Sequence, residues 1–102
     1  MTSTFELLAD PTRRRLLDAL LQGEHSVGQL VERLQMNQPA VSKQLRILRE
    51  AGLATVRVDA QRRFYRLNPE GLKDIDSWLA PYRAFWEKRL DAMERTLDAM
   101  ED

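Results

Sequence analysis

The 102-residue chain contains no cysteine and only one histidine. Disulfides, thiolate metal sites and cysteine nucleophiles are therefore excluded. No stretch approaches the roughly 20 consecutive apolar residues of a membrane span. The opening MTSTFELLADPTRRR lacks the basic start and apolar stretch of a secretion signal. There is no glycine-rich phosphate loop. Ser42 and Lys43 are a poor nucleophile–base pair, because adjacent residues point to different faces of a helix. The expectation is a bacterial-type cytoplasmic protein that is not an enzyme, holds no cofactor and does not enter a membrane.

Net charge is also missing, at +0 with 16 basic and 16 acidic side chains, but the balance is uneven along the chain. Residues 1–70 carry 11 basic and 8 acidic groups, residues 71–102 carry 5 and 8, and the stretch 38–66 carries 7 and 2. A neutral total conceals a basic middle and an acidic tail. Local charge sets a binding face, so the middle points to a polyanion.

At 43% hydrophobic and 31% charged residues, the composition is that of a globular protein with a modest core. Ser3 or Thr4 can cap a short first helix carrying Phe5, Leu7 and Leu8. Asp10-Pro11 starts a second, whose stripe is Leu16, Leu17, Leu20 and Leu21 and whose end is Gly23. Ser26 and Gln29 form a capping box for a third, with Val27, Leu30, Val31 and Leu34 on its apolar face. Asn37 caps a fourth, ended by Gly52, in which Val41, Leu45 and Leu48 share a face that continues to Leu53.

The period then changes to two. ATVRVDAQRRFYRL alternates Val56 and Val58 in one arm with Phe64 or Tyr65 and Leu67 in the other, about a polar turn at Asp59 to Arg62. Asn68-Pro69 begins another helix. Its apolar residues Leu72, Ile75, Leu79, Tyr82, Trp86, Leu90, Met93, Leu97 and Met100 approximate a heptad seam with one stutter, which Pro81 should kink or split. Little of the chain remains for such a helix to bury against, so the seam is expected to meet a second copy.

Four helices, a hairpin wing over 55–67 and a terminal helix over 71–102 describe a mostly α, winged helix-turn-helix chain. It reads as one domain, with 1–70 binding double-stranded DNA and the last helix dimerising. Gln38, Ser42 and Lys43 lie at the start of the fourth helix, where groove-facing side chains reach base edges. Arg46 and Arg49 lie further along, beside phosphates. Arg62 and Arg63 of the wing are expected at the minor groove or backbone, Arg62 being nearer the tip. The seam residues Leu79, Tyr82, Trp86, Leu90, Met93 and Leu97 are the candidate dimer contacts.

LADPTRRRLLDALL, SVGQLVERLQMNQPAVSKQLRILREAGL and RRFYRLNPEGL resemble consecutive blocks of the ArsR/SmtB family of bacterial winged-helix repressors, over roughly residues 5 to 72. The tail WLAPYRAFWEKRLDAMERTL is similar to a cysteine-free subgroup. The resemblance implies a homodimer pairing through the first and last helices, which adds Phe5 and Leu8 to the interface. It implies repression at an imperfect palindrome in the chain's own or a neighbouring promoter. Carried over by position, the family's DNA contacts fall on Gln38, Ala40, Ser42, Lys43 and the wing near Arg62. Metal-sensing members carry C-x-C on the third helix, where this chain has Ser26, Val27 and Gly28. Others carry histidines on the last helix, where this chain has Asp91, Glu94, Asp98 and Glu101 but no histidine. Carboxylates alone suit hard cations rather than borderline transition metals. No family-type metal site is expected, which leaves an organic or protein effector, or none.

Other residues divide between structural and functional readings. Arg13, Arg14 and Arg15 sit near a helix start, where the dipole disfavours cations. Ion pairs of Arg14 with Asp18, and with Glu6 and Asp10 nearby, are preferred to phosphate contact. The aromatic group Trp78, Tyr82, Phe85 and Trp86 reads as dimer core, with an effector pocket as the alternative. His25 reads as a loop or capping residue rather than a ligand. The rival functions are a winged helix that binds protein, as an antitoxin or adaptor, and a repressor with an atypical carboxylate or His25 metal site. Arg57, Arg62, Arg63 and Arg66 together on the wing speak against the protein-binding rival.

Overall fold

A computed structural model of the chain describes residues 3–101, with the side chain of residue 101 left aside. The helices are α1 (Thr4–Leu8), α2 (Pro11–Leu21), α3 (Val27–Leu34), α4 (Gln38–Glu50) and α5 (Lys73–Glu101), with a 3-10 turn at Pro69–Leu72 before α5. The strands are β1 (His25–Ser26), β2 (Ala54–Asp59) and β3 (Arg62–Leu67).

The caps follow from short polar side chains placed just before apolar runs. Ser3, Asp10 and Asn37 accept from Glu6, Thr12 and Ala40 amides, while Ser26 and Gln29 exchange hydrogen bonds of 3.2 and 2.8 Å. Gln35 leaves α3 in the left-handed region (φ 56°), and Met36 N–H returns to the Val31 carbonyl. That reversal is the tight turn between α3 and α4.

Leu16, Leu30, Leu45, Leu48, Leu53 and Val41 are fully enclosed, and Leu7, Leu17, Leu20, Leu34 and Tyr65 join them. Each such side chain contributes about 1.5–3 kcal/mol over leaving it in water. Leu21 departs from the expected stripe: it is 66% exposed, and Ala19 takes the core position. At the end of a short helix the apolar arc covers only the residues that face α3 and α4.

The sheet has order β1-β3-β2 and is antiparallel throughout. Ala54 pairs with Leu67 and Asp59 with Arg62, so the wing begins one residue earlier than expected and closes on a two-residue loop, Ala60-Gln61. Ala60 adopts φ 57°, as tight hairpin loops demand. Tyr65, not Phe64, enters the core, and Val58 stays 64% exposed near the tip. The unexpected element is β1, where His25 and Ser26 pair with Tyr65 and Phe64. His25 is thus a strand residue.

The turn before α5 fits closely against the end of α4. A Cβ at Gly71 would stand 2.5 Å from the Gly52 carbonyl oxygen and 2.7 Å from Leu53 Cδ2. Both contacts involve atoms that cannot swing aside, since one is backbone and the other belongs to a core leucine. Gly71→Ala should therefore cost about 1–3 kcal/mol by overpacking. Thermal unfolding checks this; an unchanged midpoint would mean that the turn can lift without loss.

The helix α5 runs unbroken through Pro81. The missing N–H frees the Ser77 carbonyl, but both residues are exposed, so water can serve it. At 29 residues α5 projects from the core and stretches the molecule to 63 × 32 × 22 Å. Leu72 packs on the core and Ile75 and Leu79 are half-buried, whereas Tyr82, Trp86, Leu90, Met93, Leu97 and Met100 are all more than half exposed.

Candidate nucleic-acid interface

Three elements enclose an open groove of about 770 Å³. The floor is α4, which contributes Gln38, Pro39, Ser42, Lys43, Arg46 and Arg49. One wall is the wing, through Gln61, Arg62, Arg63 and Tyr65, and the other is the start of α3, through Ser26, Val27 and Gly28. The core face of α4 fixes this arrangement: with Val41, Leu45 and Leu48 fully buried, the residues between them must face outward.

Five cations line the groove, Lys43, Arg46, Arg49, Arg62 and Arg63, and no carboxylate does. All five are exposed, and the first turn of α3 adds the partial positive charge of a helix start. Gln38 and Ser42, also exposed, supply amide and hydroxyl groups among the charges. Such a surface attracts a polyanion and presents donors and acceptors to it.

Seven of the eight interface residues expected from sequence line this groove, and Ala40 does not. Ala40 is half-buried on α4, and its amide is occupied by the Asn37 cap. Sequence reasoning missed Gln61, although it stands beside Arg62 in the turn. It also missed the α3 wall, because nothing local to SVGQL shows that β1 will join the wing.

Arg57 departs from expectation. Its guanidinium is paired with Glu24 through bonds of 2.6 and 3.2 Å, lies 3.7 Å from Asp59 and sits 4.7 Å above the Phe64 ring. The hydrogen bond to Arg57 holds the Glu24 carboxyl below the usual carboxylate range, with the charges of Arg57 and Arg66 adding to it, and Arg57 is correspondingly raised. Its charge is thus neutralised locally, and what it does is tie β2 to the residue before β1. Arg62 lies 5.1 Å over the same ring on the groove side and 3.5 Å from Ser26 Oγ.

The triple arginine finds helix ends more than carboxylates. Arg13 donates to the Leu7 carbonyl, Arg14 to the Leu8 carbonyl and Arg15 to the Leu34 carbonyl at 3.1 Å. These are last-turn carbonyls of α1 and α3, where a cation is favourable. Arg13 also pairs with Asp10 at 3.9 Å, whereas the expected Arg14–Asp18 pair is absent among the described residues. His25 Nδ1 lies 2.7 Å from the Gly23 carbonyl and Nε2 lies 2.9 Å from Arg33 Nη1. A carbonyl can only accept and a guanidinium can only donate, so the two contacts match an imidazole tautomer that carries its hydrogen on Nδ1. Among the described residues no three His, Asp or Glu side chains stand together as a metal site. Phe5 meets Trp78 edge-on at 5.7 Å, and Trp78 meets Tyr82 at 4.9 Å.

Residues 10–56, which hold α2, α3, α4 and the start of the wing, match the arsR family of bacterial regulatory proteins. The HTH-type transcriptional regulator Rv2034 of Mycobacterium tuberculosis is 35% identical over 96% of this chain and 89% of its own length. The chain belongs to the ArsR family. The transcriptional repressor SdpR of Bacillus subtilis is 33% identical over 78% of this chain and 88% of its own. Among solved structures, the homodimeric winged helix-turn-helix DNA-binding domain of Mb0332 from Mycobacterium bovis superposes with a TM-score of 0.61. It is 29% identical and covers 83% of this chain and 76% of that one. This ArsR-family chain is accordingly a DNA-binding transcriptional regulator of winged helix-turn-helix fold, not an enzyme.

Proposed function

We propose that the chain is a cytoplasmic homodimeric repressor that pairs through α1 and α5 and lays its two α4 helices in successive major grooves of an imperfect palindrome. The carrying observation is the groove, in which five unopposed cations flank Gln38 and Ser42. Cations without acids meet phosphates, while amide and hydroxyl groups discriminate base edges. Arg62, Arg63 and Gln61 at the wing are placed to follow the backbone into the adjoining minor groove. Dimerisation is supported by the exposed apolar face of α5 and by the homodimeric M. bovis domain; repression is supported by the B. subtilis relative. The aromatic group around Trp78 and Tyr82, with Phe5 against it, forms the centre of the dimer interface. Regulation proceeds without a metal site of the family type.

The test is fluorescence anisotropy of the protein on DNA from upstream of its own gene and on scrambled DNA, at two salt concentrations, with and without zinc or nickel. Salt-sensitive binding that prefers the upstream DNA and ignores metal is expected. Ser42→Ala should narrow the preference between the two DNAs, and Arg62→Ala should weaken both alike. Absence of DNA binding at low salt would transfer the groove to an acidic protein partner.

A further inference from the structure

The recognition helix is held from its far side by one guanidinium. Arg13 Nε donates to Gln44 Oε1 at 2.9 Å, Arg13 Nη1 donates to the Leu7 carbonyl at 3.4 Å, and Nη2 lies 3.9 Å from Asp10. The Arg13 side chain is only 20% exposed. A guanidinium is planar, with its donors in a fixed fork, so these partners are held in a set relation to one another. The group thus joins the end of α1, the start of α2 and the middle of α4. Gln44 is half-buried and does not line the groove, so its bond to Arg13 leaves the DNA-facing side chains untouched.

What gives the contact a consequence is the place of α1. Phe5 stands against Trp78 of α5, so α1 is continuous with the exposed face through which two copies pair in the reading above. The position of α4 relative to the molecular two-fold is then referred through Arg13. We propose that Arg13 and Gln44 are positioning residues for DNA recognition: they set the separation of the two recognition helices, and with it the half-site spacing that the dimer accepts. This rests on the dimeric reading. The hydrophobic face of α4 fixes which residues point at DNA, but apolar contacts are not directional, so small shifts along the helix axis call for a further restraint. A directional bond on the opposite flank supplies that restraint. Half-sites recur at one helical turn, about 34–36 Å centre to centre, so a small displacement of each helix changes the preferred spacing.

The probes are a duplex selected by the wild-type protein from a random-sequence pool, the same duplex with one base pair inserted or removed at its centre, and a single half-site. Gln44→Met removes the acceptor at nearly constant volume, and Gln44→Glu keeps it. The wild type should prefer the selected spacing by about tenfold or more, equivalent to roughly 1.4 kcal/mol. In Gln44→Met that ratio should fall to about threefold or less, with half-site affinity within about twofold of wild type. Gln44→Glu should retain the wild-type ratio. An unchanged ratio in Gln44→Met would overturn the proposal, as would equal losses on half-site and full site, which a purely structural role would produce. Selection of sequences without two half-sites would overturn the dimeric reading together with it.

Discussion

Lysine at both Leu90 and Leu97 should leave a folded monomer and weaken operator binding by about two to three orders of magnitude. The two leucines are 58% and 57% exposed and contribute nothing to the core of their own chain. Thermal stability of the isolated fold should therefore stay within about 0.5 kcal/mol, as for other surface substitutions. In the dimer each position counts twice, so four ammonium groups would have to leave water for an apolar seam. A monomer keeps one half-site. Specific binding exceeds non-specific binding by about 4–10 kcal/mol, and losing half of that gives the expected fall. Sedimentation equilibrium measures the mass, to be compared with the 11.9 kDa of one chain. A variant that still sediments as a dimer would remove the distal part of α5 from the interface.

The same exposed seam shows what sequence can reveal. Periodicity identified α2 to α4 and their caps because each depends on residues within a few positions: Ser26 with Gln29, Asn37 with Ala40, Val41 with Leu45 and Leu48. The wing was legible for a similar reason, since two arms joined by a tight polar turn form a local pattern. Of the seven expected residues that line the groove, five followed once α4 had one buried face and the charge lay on the other, and Arg62 and Arg63 followed from the polar turn of the wing.

What escaped depends on contacts between distant positions. The strand β1 is two residues long and carries no alternation of its own; it exists because His25 and Ser26 reach Tyr65 and Phe64. Arg57 reads with Arg62, Arg63 and Arg66 as part of a basic wing, but its partner Glu24 lies 33 positions away. The arginines of α2 needed compensation, and local carboxylates were the natural guess. The backbone carbonyls they found, at Leu8 and Leu34, are invisible in a string of side chains. Pro81 shows the converse: a local rule foresaw interruption, while an exposed helix surface lets solvent take the freed carbonyl.

With Arg57 paired to Glu24, the groove keeps its five cations without an acid among them, and that yields the second large effect. Arg46→Ala together with Arg49→Ala should reduce the salt dependence of binding, making the slope of log K against log salt less negative by about 3 to 4. The slope changes by about 0.9 per phosphate released, and a dimer would lose two contacts per protomer. Among the described residues neither arginine is in an ion pair, so their charge is available to DNA and their removal leaves no orphaned carboxylate. Affinity near physiological salt should fall by about two orders of magnitude or more, while the ratio between operator and scrambled DNA changes little. Ser42→Ala should behave in the opposite way, with the ratio compressed and the slope preserved, because a hydroxyl reads bases and releases no counterion. Titrations of the three proteins at several salt concentrations separate the outcomes. If the double arginine variant kept the wild-type slope, the second half of α4 would stand clear of the phosphates, and the helix would have to enter the groove at a different tilt from the one its charge pattern implies.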